Sequence, residues 1–305
     1  MFNTQFIQDF MNYYDYPAEA KELFTEVLEK LDSNKKFGTR FQSILDKHLD
    51  NYTRIDSKLL DRIAALAKAM GYSEYTLNFV FLLCLTEDLK EKYTLFGIDE
   101  KIYYDTMDDL RCKLLECMEC EKVPGTFVTG WFEGFFRLTR VSYGRFEYEV
   151  STYTSDEPYT MKCGKVIKKG DRYIGFHIPS SGVPLTDEVR LNSYKEAYKR
   201  VSKFFDDGIV IFGCGSWLLY PKHREFLPER LNIRRFMDDF EIISWDEKDD
   251  FHDAWRIFGY ESDLPFDQLP RDTTLRKAYA DWLSAGNKGG SGFGLIAFDG
   301  DKILK

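Results

Sequence analysis

The spacing of apolar residues changes once along this chain, at the turn Val123-Pro124-Gly125. Before the turn, apolar residues recur at helical spacing, most clearly in residues 56–71. After it, β-branched and aromatic residues prevail between glycine-containing turns. The change predicts a helical N-terminal domain over residues 1–122 and a sheet-containing domain over residues 123–305.

Helical spacing extends over several stretches of the first domain. In the clearest stretch, Asp56 or Ser57 is the candidate N-cap and Gly71 is the glycine that ends the helix. A bundle of helices follows from this pattern. The predicted helices cover residues 17–31, 56–71, 73–85 and 104–121.

The second domain begins with strands and continues with strands that alternate with helices. This order predicts an α+β fold in which helices flank a mixed sheet. The predicted strands cover residues 127–141, 145–152, 209–214, 253–258 and 292–298, a hairpin arm around 168–171 leads to another strand at Tyr173, and the predicted helices cover 187–205, 220–226 and 274–283.

The composition fits filled cores and restricts the partners of the chain. Of its 305 residues, 44% are hydrophobic and 16% aromatic, which suits about two domains. The net charge of −9 and the pI near 5.2 oppose non-specific binding to nucleic acid or to an anionic membrane. Small cationic or amine-bearing substrates are compatible with this charge.

The N-terminal and cysteine patterns predict a cytoplasmic protein. The first ten residues carry Asp9 and lack both the basic start and the apolar run of a secretory signal. The longest uncharged apolar run, residues 75–86, is too short to span a bilayer. Six cysteines in a chain of this length do not form a disulfide framework, which indicates a reducing compartment.

Two strand ends have the pattern of a ligand-binding cleft. In YIGFHIPSSGVPLT, residues 173–186, a short strand leads into a loop of small residues that opens an amphipathic helix. The N–H groups at such a helix start stabilise anionic groups. In GIVIFGCGSWLLYP, residues 208–221, a buried strand again ends in small residues. Together the two strand ends predict a cleft.

Four segments, in order along the chain, carry a family resemblance. They are YIGFHIPSSGVPLT, CGSWLLYPKHREFLP at 214–228, NIRRF at 232–236 and LPRDTTL at 269–275. With them the chain resembles a bacterial family of acyltransferase-domain proteins, in which a helical domain precedes a domain similar to the GNAT superfamily of N-acyltransferases.

The resemblance implies transfer of an acyl group from acyl-coenzyme A, the co-substrate, to a small amine or peptide amine. The amine attacks the thioester directly in a ternary complex. The alternative is a GNAT-like protein that has lost its donor site and serves as a non-catalytic ligand-binding or scaffold protein.

The resemblance also implies a general base on the strand at Tyr173. Many GNAT enzymes have a carboxylate there. In this chain Tyr173, Gly175 and His177 point to one side of the strand, and His177 is the titratable candidate for the base. Histidine suits that role because it accepts a proton near neutral pH. The alternative is a core histidine hydrogen-bonded to the backbone.

The second strand end supplies the other implied catalytic residues. A GNAT fold places the acid for the leaving thiolate after this strand, and Tyr220 is the candidate for that acid. Ser216 is the candidate that bonds the thioester carbonyl or the amide oxygen.

Ser180, Ser181 and Gly182 occupy the loop where GNAT proteins hold the pyrophosphate of acyl-coenzyme A. The usual Q/R-x-x-G-x-G/A pattern is absent here, and acidic residues at 187 and 188 add negative charge to the first turn of the helix. The alternative is a tight turn with Thr186 as the N-cap.

No metal site is predicted. Cys112, Cys117 and Cys120 have the C-x4-C-x2-C spacing of plant-type iron–sulfur proteins. They fall within a helical apolar pattern, however, whereas cluster ligands lie on loops. An iron–sulfur redox protein is therefore the weakest alternative, and the cysteines are predicted to pack as small hydrophobic residues.

Overall fold

The protein consists of two compact units, Met1–Val141 and Ser142–Lys305. The sequence pattern places the boundary between residues 122 and 123, where the last long helix of the first unit ends. Residues 123–141 belong to the first unit. The computed structural model describes residues 2–51, 54–249 and 251–305.

The first unit is helical, which confirms the predicted class of this half of the chain. Among the residues that the structure describes, no helix has the length and apolar character needed to cross a membrane. The helices are α1 (Thr4–Tyr13), α2 (Ala18–Ser33), α3 (Lys35–Asn51), α4 (Ser57–Met70), α5 (Glu74–Leu95), α6 (Glu100–Glu121) and the short α7 (Glu133–Phe136).

Helix α4 shows how local sequence sets these boundaries. The side chain of Asp56 accepts a hydrogen bond from the backbone N–H of Leu59, at 3.0 Å, and so caps the first turn. Gly71 ends the helix in the left-handed region, at φ 79°, where glycine is tolerated best. Leu59, Ile63, Leu66 and Met70 form the buried stripe of this helix.

The strand predicted for residues 127–141 is wrong over most of its length. These residues contain the 3₁₀ turn Thr129–Phe132 and helix α7, and a strand begins only at Arg140. The aromatic residues that suggested a strand are buried at helical spacing instead. They are Phe132, Phe135 and Phe136.

The second unit is built on a mixed sheet, as predicted. The described sheet has seven strands in the order β1-β2-β5-β6-β8-β7, with β9 paired to β8, and β3 and β4 form a separate hairpin. The strands are β1 (Arg140–Tyr143), β2 (Phe146–Thr152), β3 (Tyr159–Thr160), β4 (Val166–Ile167), β5 (Arg172–His177), β6 (Val210–Ser216), β7 (Glu241–Lys248), β8 (Gly289–Phe298) and β9 (Ile303–Leu304).

Helices and 3₁₀ turns connect these strands. Helix α8 (Asp187–Val201) links β5 to β6, and its core-facing residues pack with those of α10. The other helices of this unit are α9 (His223–Phe226), α10 (Asn232–Asp238), α11 (Trp255–Phe258) and α12 (Thr274–Ser284).

In the second unit one predicted strand is wrong and one observed strand was not predicted. Residues 253–258 do not form a strand but contain helix α11. The sheet instead includes β7, which the sequence pattern missed. Strand β7 lies at the end of the strand order. Edge strands tolerate charged residues, and the charged residues of β7 are typical of a loop in the sequence.

Strands β5 and β6 are the parallel pair at the centre of the sheet. They are paired at Ile174 with Phe212 and at Gly175 with Gly213. Beyond these pairs β5 continues to His177 and stays paired with β2, whereas β6 continues to Ser216 and stays paired with β8. The two strands therefore separate at their carboxyl ends, and this opening positions the candidate site.

The sheet has two differently covered faces. On one face, Ile174 and Phe176 belong to the main core beneath α8 and α10. The other face carries Tyr173, Gly175 and His177, and we call it the histidine face. It packs against residues of the β3–β4 hairpin arm through Ile211, Leu295, Ala297, Met161 and Ile167.

Candidate active site

His177, the last residue of β5, forms a pair with a carboxylate on the neighbouring strand. Its Nε2 lies 2.8 Å from Oε1 of Glu149. Both side chains are half-buried, with exposed fractions of 31% and 26%. The antiparallel register places Glu149 opposite Gly175, two residues from His177 on the same face.

Gly175 allows this pair to form at the sheet surface. A Cβ at this position would lie 2.7 Å from Oγ of Ser151, closer than packing permits. The serine therefore occupies the space that a side chain would need. With no side chain at 175, the Glu149 carboxylate can lean along β2 toward the imidazole.

The pair has the chemistry of an oriented base. An ionised carboxylate only accepts hydrogen bonds, so it favours the tautomer of His177 with a proton on Nε2. In that tautomer Nδ1 carries the lone pair of the ring, which is the position at which a histidine acting as a general base takes its proton. The alternative predicted from the sequence was a core histidine, whereas 31% of this side chain is exposed.

Sequence reasoning did not identify Glu149. Its only signal was the alternation in FEYEVST, residues 146–152, which places Glu147, Glu149 and Ser151 on one face of β2. Which strand pairs with β2, and in which register, is a long-range property that alternation does not contain.

The loop with Ser180, Ser181 and Gly182 connects β5 to α8, as predicted. Oγ of Ser181 accepts a hydrogen bond from the backbone N–H of Val183, at 3.4 Å, and Gly182 has φ 77°. The Thr186 side chain caps α8 by accepting from the backbone N–H of Val189.

Arg190, which sequence reasoning also missed, holds the end of this loop through hydrogen bonds. Its guanidinium is buried and donates to both carboxylate oxygens of Asp239, at 2.6 and 3.0 Å, and to the carbonyl of Leu185, at 2.7 Å. Nη1 of Arg190 also pairs with Asp187, at 3.0 Å. One of the two acidic residues at the helix start is thus engaged by an arginine.

Ser216 lies at the end of β6. Its Oγ accepts a hydrogen bond from the backbone N–H of Leu218, at 3.2 Å, and thereby caps the 3₁₀ turn Trp217–Leu219. Alternation along β6 places Ser216 on the face of Cys214, whereas Gly215 shares the histidine face. The structure therefore does not bring Ser216 and His177 onto one face of the sheet.

Tyr220 is fully buried beneath the start of β8. Its hydroxyl donates to the carboxylate of Glu247, which also pairs with Lys222 at 2.6 Å. Burial, followed by the hydrogen bond to Glu247, raises the pKa of the Tyr220 phenol. The phenol is a weaker acid in this state than tyrosine in water.

The cysteines of the C-x4-C-x2-C pattern lie along helix α6. Cys112 and Cys117 are buried in the core of the first unit, and burial raises the pKa of Cys117 to about 12. Within the described residues, no group of three or more histidine, cysteine or acidic side chains has an arrangement that could hold a metal ion.

Comparisons with known proteins agree with this architecture. Residues 5–138 match the family described as N-acyltransferase N-terminal domain, and residues 140–296 match the family described as GNAT-like C-terminal domain. No curated protein sequence matches the chain.

Solved structures with a similar fold are acyltransferases. One, in complex with decanoyl-CoA and teicoplanin, has 17% identity and a TM-score of 0.71, with 95% of this chain and 86% of that chain covered. Another, in complex with CoA and 10C-teicoplanin, has 16% identity and a TM-score of 0.70, with 94% and 86% covered. These likenesses show the fold, and the GNAT-like match spans more than half of the sequence. The chain therefore belongs to the family that joins an N-acyltransferase N-terminal domain to a GNAT-like C-terminal domain.

Proposed function

We propose that this protein transfers an acyl group from acyl-coenzyme A to the amine of a small molecule or peptide. The observation that carries the proposal is the His177–Glu149 pair, at the point where β5 and β6 separate. The acyl-CoA ligands of structurally similar acyltransferases support the choice of donor. The cytoplasmic location predicted from the cysteine pattern is part of the same proposal.

In this proposal the donor lies between the separating strands. The pantetheine arm of coenzyme A carries amide groups, which suit the edge of an extended strand. The pyrophosphate would meet the loop of Ser180, Ser181 and Gly182 at the start of α8, where N–H groups and the helix dipole favour an anion. The pairing of Asp187 with Arg190 lowers the cost of the nearby negative charge.

The reaction then uses groups already in place. His177 takes a proton from the acceptor ammonium, and Glu149 stabilises the imidazolium. The neutral amine attacks the thioester carbonyl carbon, the C–N bond forms and the C–S bond breaks. The nitrogen loses a second proton as the thiolate of coenzyme A leaves, and the thiolate takes up one proton, so that an amide and a thiol result.

The role of Tyr220 as the acid for the thiolate stays a prediction. For that role its hydroxyl has to exchange Glu247 for the thiolate. If Tyr220 is the acid, Tyr220→Phe lowers turnover by about 10²–10⁴-fold. If it only packs, turnover per folded molecule stays near that of the unsubstituted protein.

The non-catalytic alternative differs at the donor site. A protein that has lost this site gains no stability from acyl-coenzyme A, whereas a ligand that binds only the folded state adds about 2.7 kcal/mol at a hundredfold excess over its Kd. We expect decanoyl-CoA and CoA to raise the Tm, and decanoate alone to leave it unchanged. An unchanged Tm with acetyl-, octanoyl- and decanoyl-CoA at millimolar concentration would contradict the proposed function.

A further inference from the structure

A cavity of about 490 Å³ opens on the histidine face of the second unit. Tyr173 of β5 and Phe293 of β8 form part of its wall, with ring centroids 5.9 Å apart. Tyr153 and Tyr159, at the base of the β3–β4 hairpin arm, also line it. Four aromatic side chains therefore contribute to the lining of the cavity.

Strand register relates this cavity to His177. Gly175 pairs with Gly213, so two residues further along these parallel strands His177 and Gly215 have the same height in the sheet. Gly215 in turn pairs with Phe293 of the cavity wall. His177 and Phe293 thus stand on the same face, with β6 and the opening beside β5 between them, at least about 10 Å apart by strand spacing.

Gly215 has no side chain, so the sheet surface between His177 and Phe293 is uncovered at this position. It is exposed although the preceding residues of β6 are buried. A Cβ at this position would lie 3.7 Å from the Phe293 ring, in ordinary contact. No steric conflict requires glycine there, but any side chain would stand on the histidine face between the cavity and His177.

The lining fits a cation better than either end of the donor. The faces of tyrosine and phenylalanine rings attract an ammonium group. Among the residues described as lining the cavity, the charged one is Glu157, which is negative. Thr152, Ser155 and Ser244 add hydroxyl groups to the lining, with which a polar ligand can form hydrogen bonds and a fatty chain cannot. Negative charge also disfavours the phosphates of coenzyme A.

We propose that this cavity binds the acceptor of the acyl-transfer reaction, as a primary ammonium carried on an aromatic or similarly flat ring. The inference rests on the proposed function, because the cavity would bind the molecule whose amine His177 deprotonates. The ring packs against the cavity side of the Tyr173–Phe293 pair, whose own rings meet edge to face, and the amine reaches over Gly215 toward His177.

The test measures binding, so it needs no turnover. Isothermal titration with phenethylamine, and with 3-phenylpropionate as the anionic counterpart of similar shape, is run on the unsubstituted protein, Gly215→Ala and Gly215→Val. CoA and decanoyl-CoA are titrated into the same preparations. Glu157→Gln is paired with Asp156→Asn, because Asp156 is a neighbouring carboxylate already paired with Lys169.

We expect phenethylamine to bind and 3-phenylpropionate not to bind. Gly215→Val should weaken phenethylamine at least tenfold, with Gly215→Ala intermediate. Because Gly215 also borders the opening proposed for the donor, the CoA titration of each variant shows whether the donor site is still intact. Glu157→Gln should weaken it about two- to fivefold, as a rim charge does, and Asp156→Asn should not.

Three results would overturn the inference while CoA still binds: no phenethylamine binding, equal binding of the anion, or phenethylamine affinity that Gly215→Val leaves intact. If decanoyl-CoA binds more tightly than CoA to the unsubstituted protein, and Gly215→Val removes that difference while phenethylamine still binds, the cavity holds the acyl chain. This result would also overturn the inference. Failure of the proposed function is distinguishable, because then CoA itself does not bind.

Discussion

Two histidines of the second unit have opposite surroundings. His177, at the end of β5, is 31% exposed and bonded to the carboxylate of Glu149. His223, the first residue of α9, is fully buried, and its Nε2 is hydrogen-bonded to the hydroxyl of Tyr279. Burial, reinforced by the charge of Arg234, lowers the pKa of His223 to about 3.

The difference shows what decides the use of a histidine. The His223 ring is enclosed by aromatic rings at centroid distances of 5.5–6.0 Å, and this apolar shell disfavours the imidazolium. His177 instead lies partly exposed beside the carboxylate of Glu149. The same side chain is thus a packing element in α9 and a candidate base in β5. The enclosing rings belong to Trp217, Tyr220, Phe226 and Tyr279.

The largest effect is expected from His177→Gln. Glutamine keeps a polar side chain of similar size but cannot accept the amine proton, so turnover should fall by about 10²–10⁴-fold with the Kd for acyl-CoA nearly unchanged. Steady-state release of the coenzyme A thiol checks this. A loss of Tm comparable to that of a core substitution, with the rate per folded molecule preserved, would place His177 in the same class as His223.

Glu149→Gln tests the difference between the two histidines through the hydrogen-bond partner of His177. The substitution replaces a charge-assisted hydrogen bond, worth about 1.5–3 kcal/mol, by a neutral one worth about 0.5–1.5 kcal/mol. The difference of about 1–1.5 kcal/mol corresponds to about five- to tenfold in kcat. Acyl-CoA binding and Tm should change little, because the carboxylate is partly exposed. Glu147→Gln is unsuitable as a control because Glu147 is buried, so Asp156→Asn on the surface serves instead.

The buried histidine predicts a pH dependence of stability. The folded pKa of His223, about 3, lies below the ordinary value of 6.5. Between these values the unfolded chain binds more protons, so the free energy of unfolding falls as the pH is lowered. Going from pH 6.5 to 4.5 should cost about 2 kcal/mol from this group. Urea unfolding at both pH values checks the loss, and His223→Gln should remove that share of it.

The smallest effect on turnover is expected from His223→Gln at neutral pH. The substitution disturbs the hydrogen bond to Tyr279 in a closed apolar site, and we expect a loss of about 1–3 kcal/mol in the free energy of unfolding. Turnover per folded molecule should stay within about twofold. A hundredfold fall in turnover with an unchanged Tm would break the comparison, because both histidines would then act in catalysis.

The sequence predicted the elements whose information is local. The helical half, strand β5, the loop after it and helix α8 follow from periodicity, small residues and an N-cap at Thr186. The resemblance to acyltransferase-domain proteins was confirmed by the family matches. The roles of His177, Tyr220, Ser216 and the Ser180–Gly182 loop stay predictions.

The features that were missed depend on contacts between distant segments. Glu149 meets His177 only because β2 pairs with β5 in one register. The burial of Tyr220 depends on glycine at 290, where a Cβ would lie 2.5 Å from the phenol ring. Strand β7 was hidden by its charged residues, and the strand predicted for 253–258 was a short helix because its apolar residues pack into a local core rather than a sheet.

The most direct test of the account is chemical rescue of the base. Turnover of His177→Ala is measured per folded molecule with decanoyl-CoA and an amine acceptor, in the absence and presence of imidazole. The account predicts a fall of about 10²–10⁴-fold that imidazole partly restores, and no effect of imidazole on Glu157→Gln. Full turnover of His177→Ala without imidazole would contradict the assignment of His177 as the residue that takes the proton from the amine.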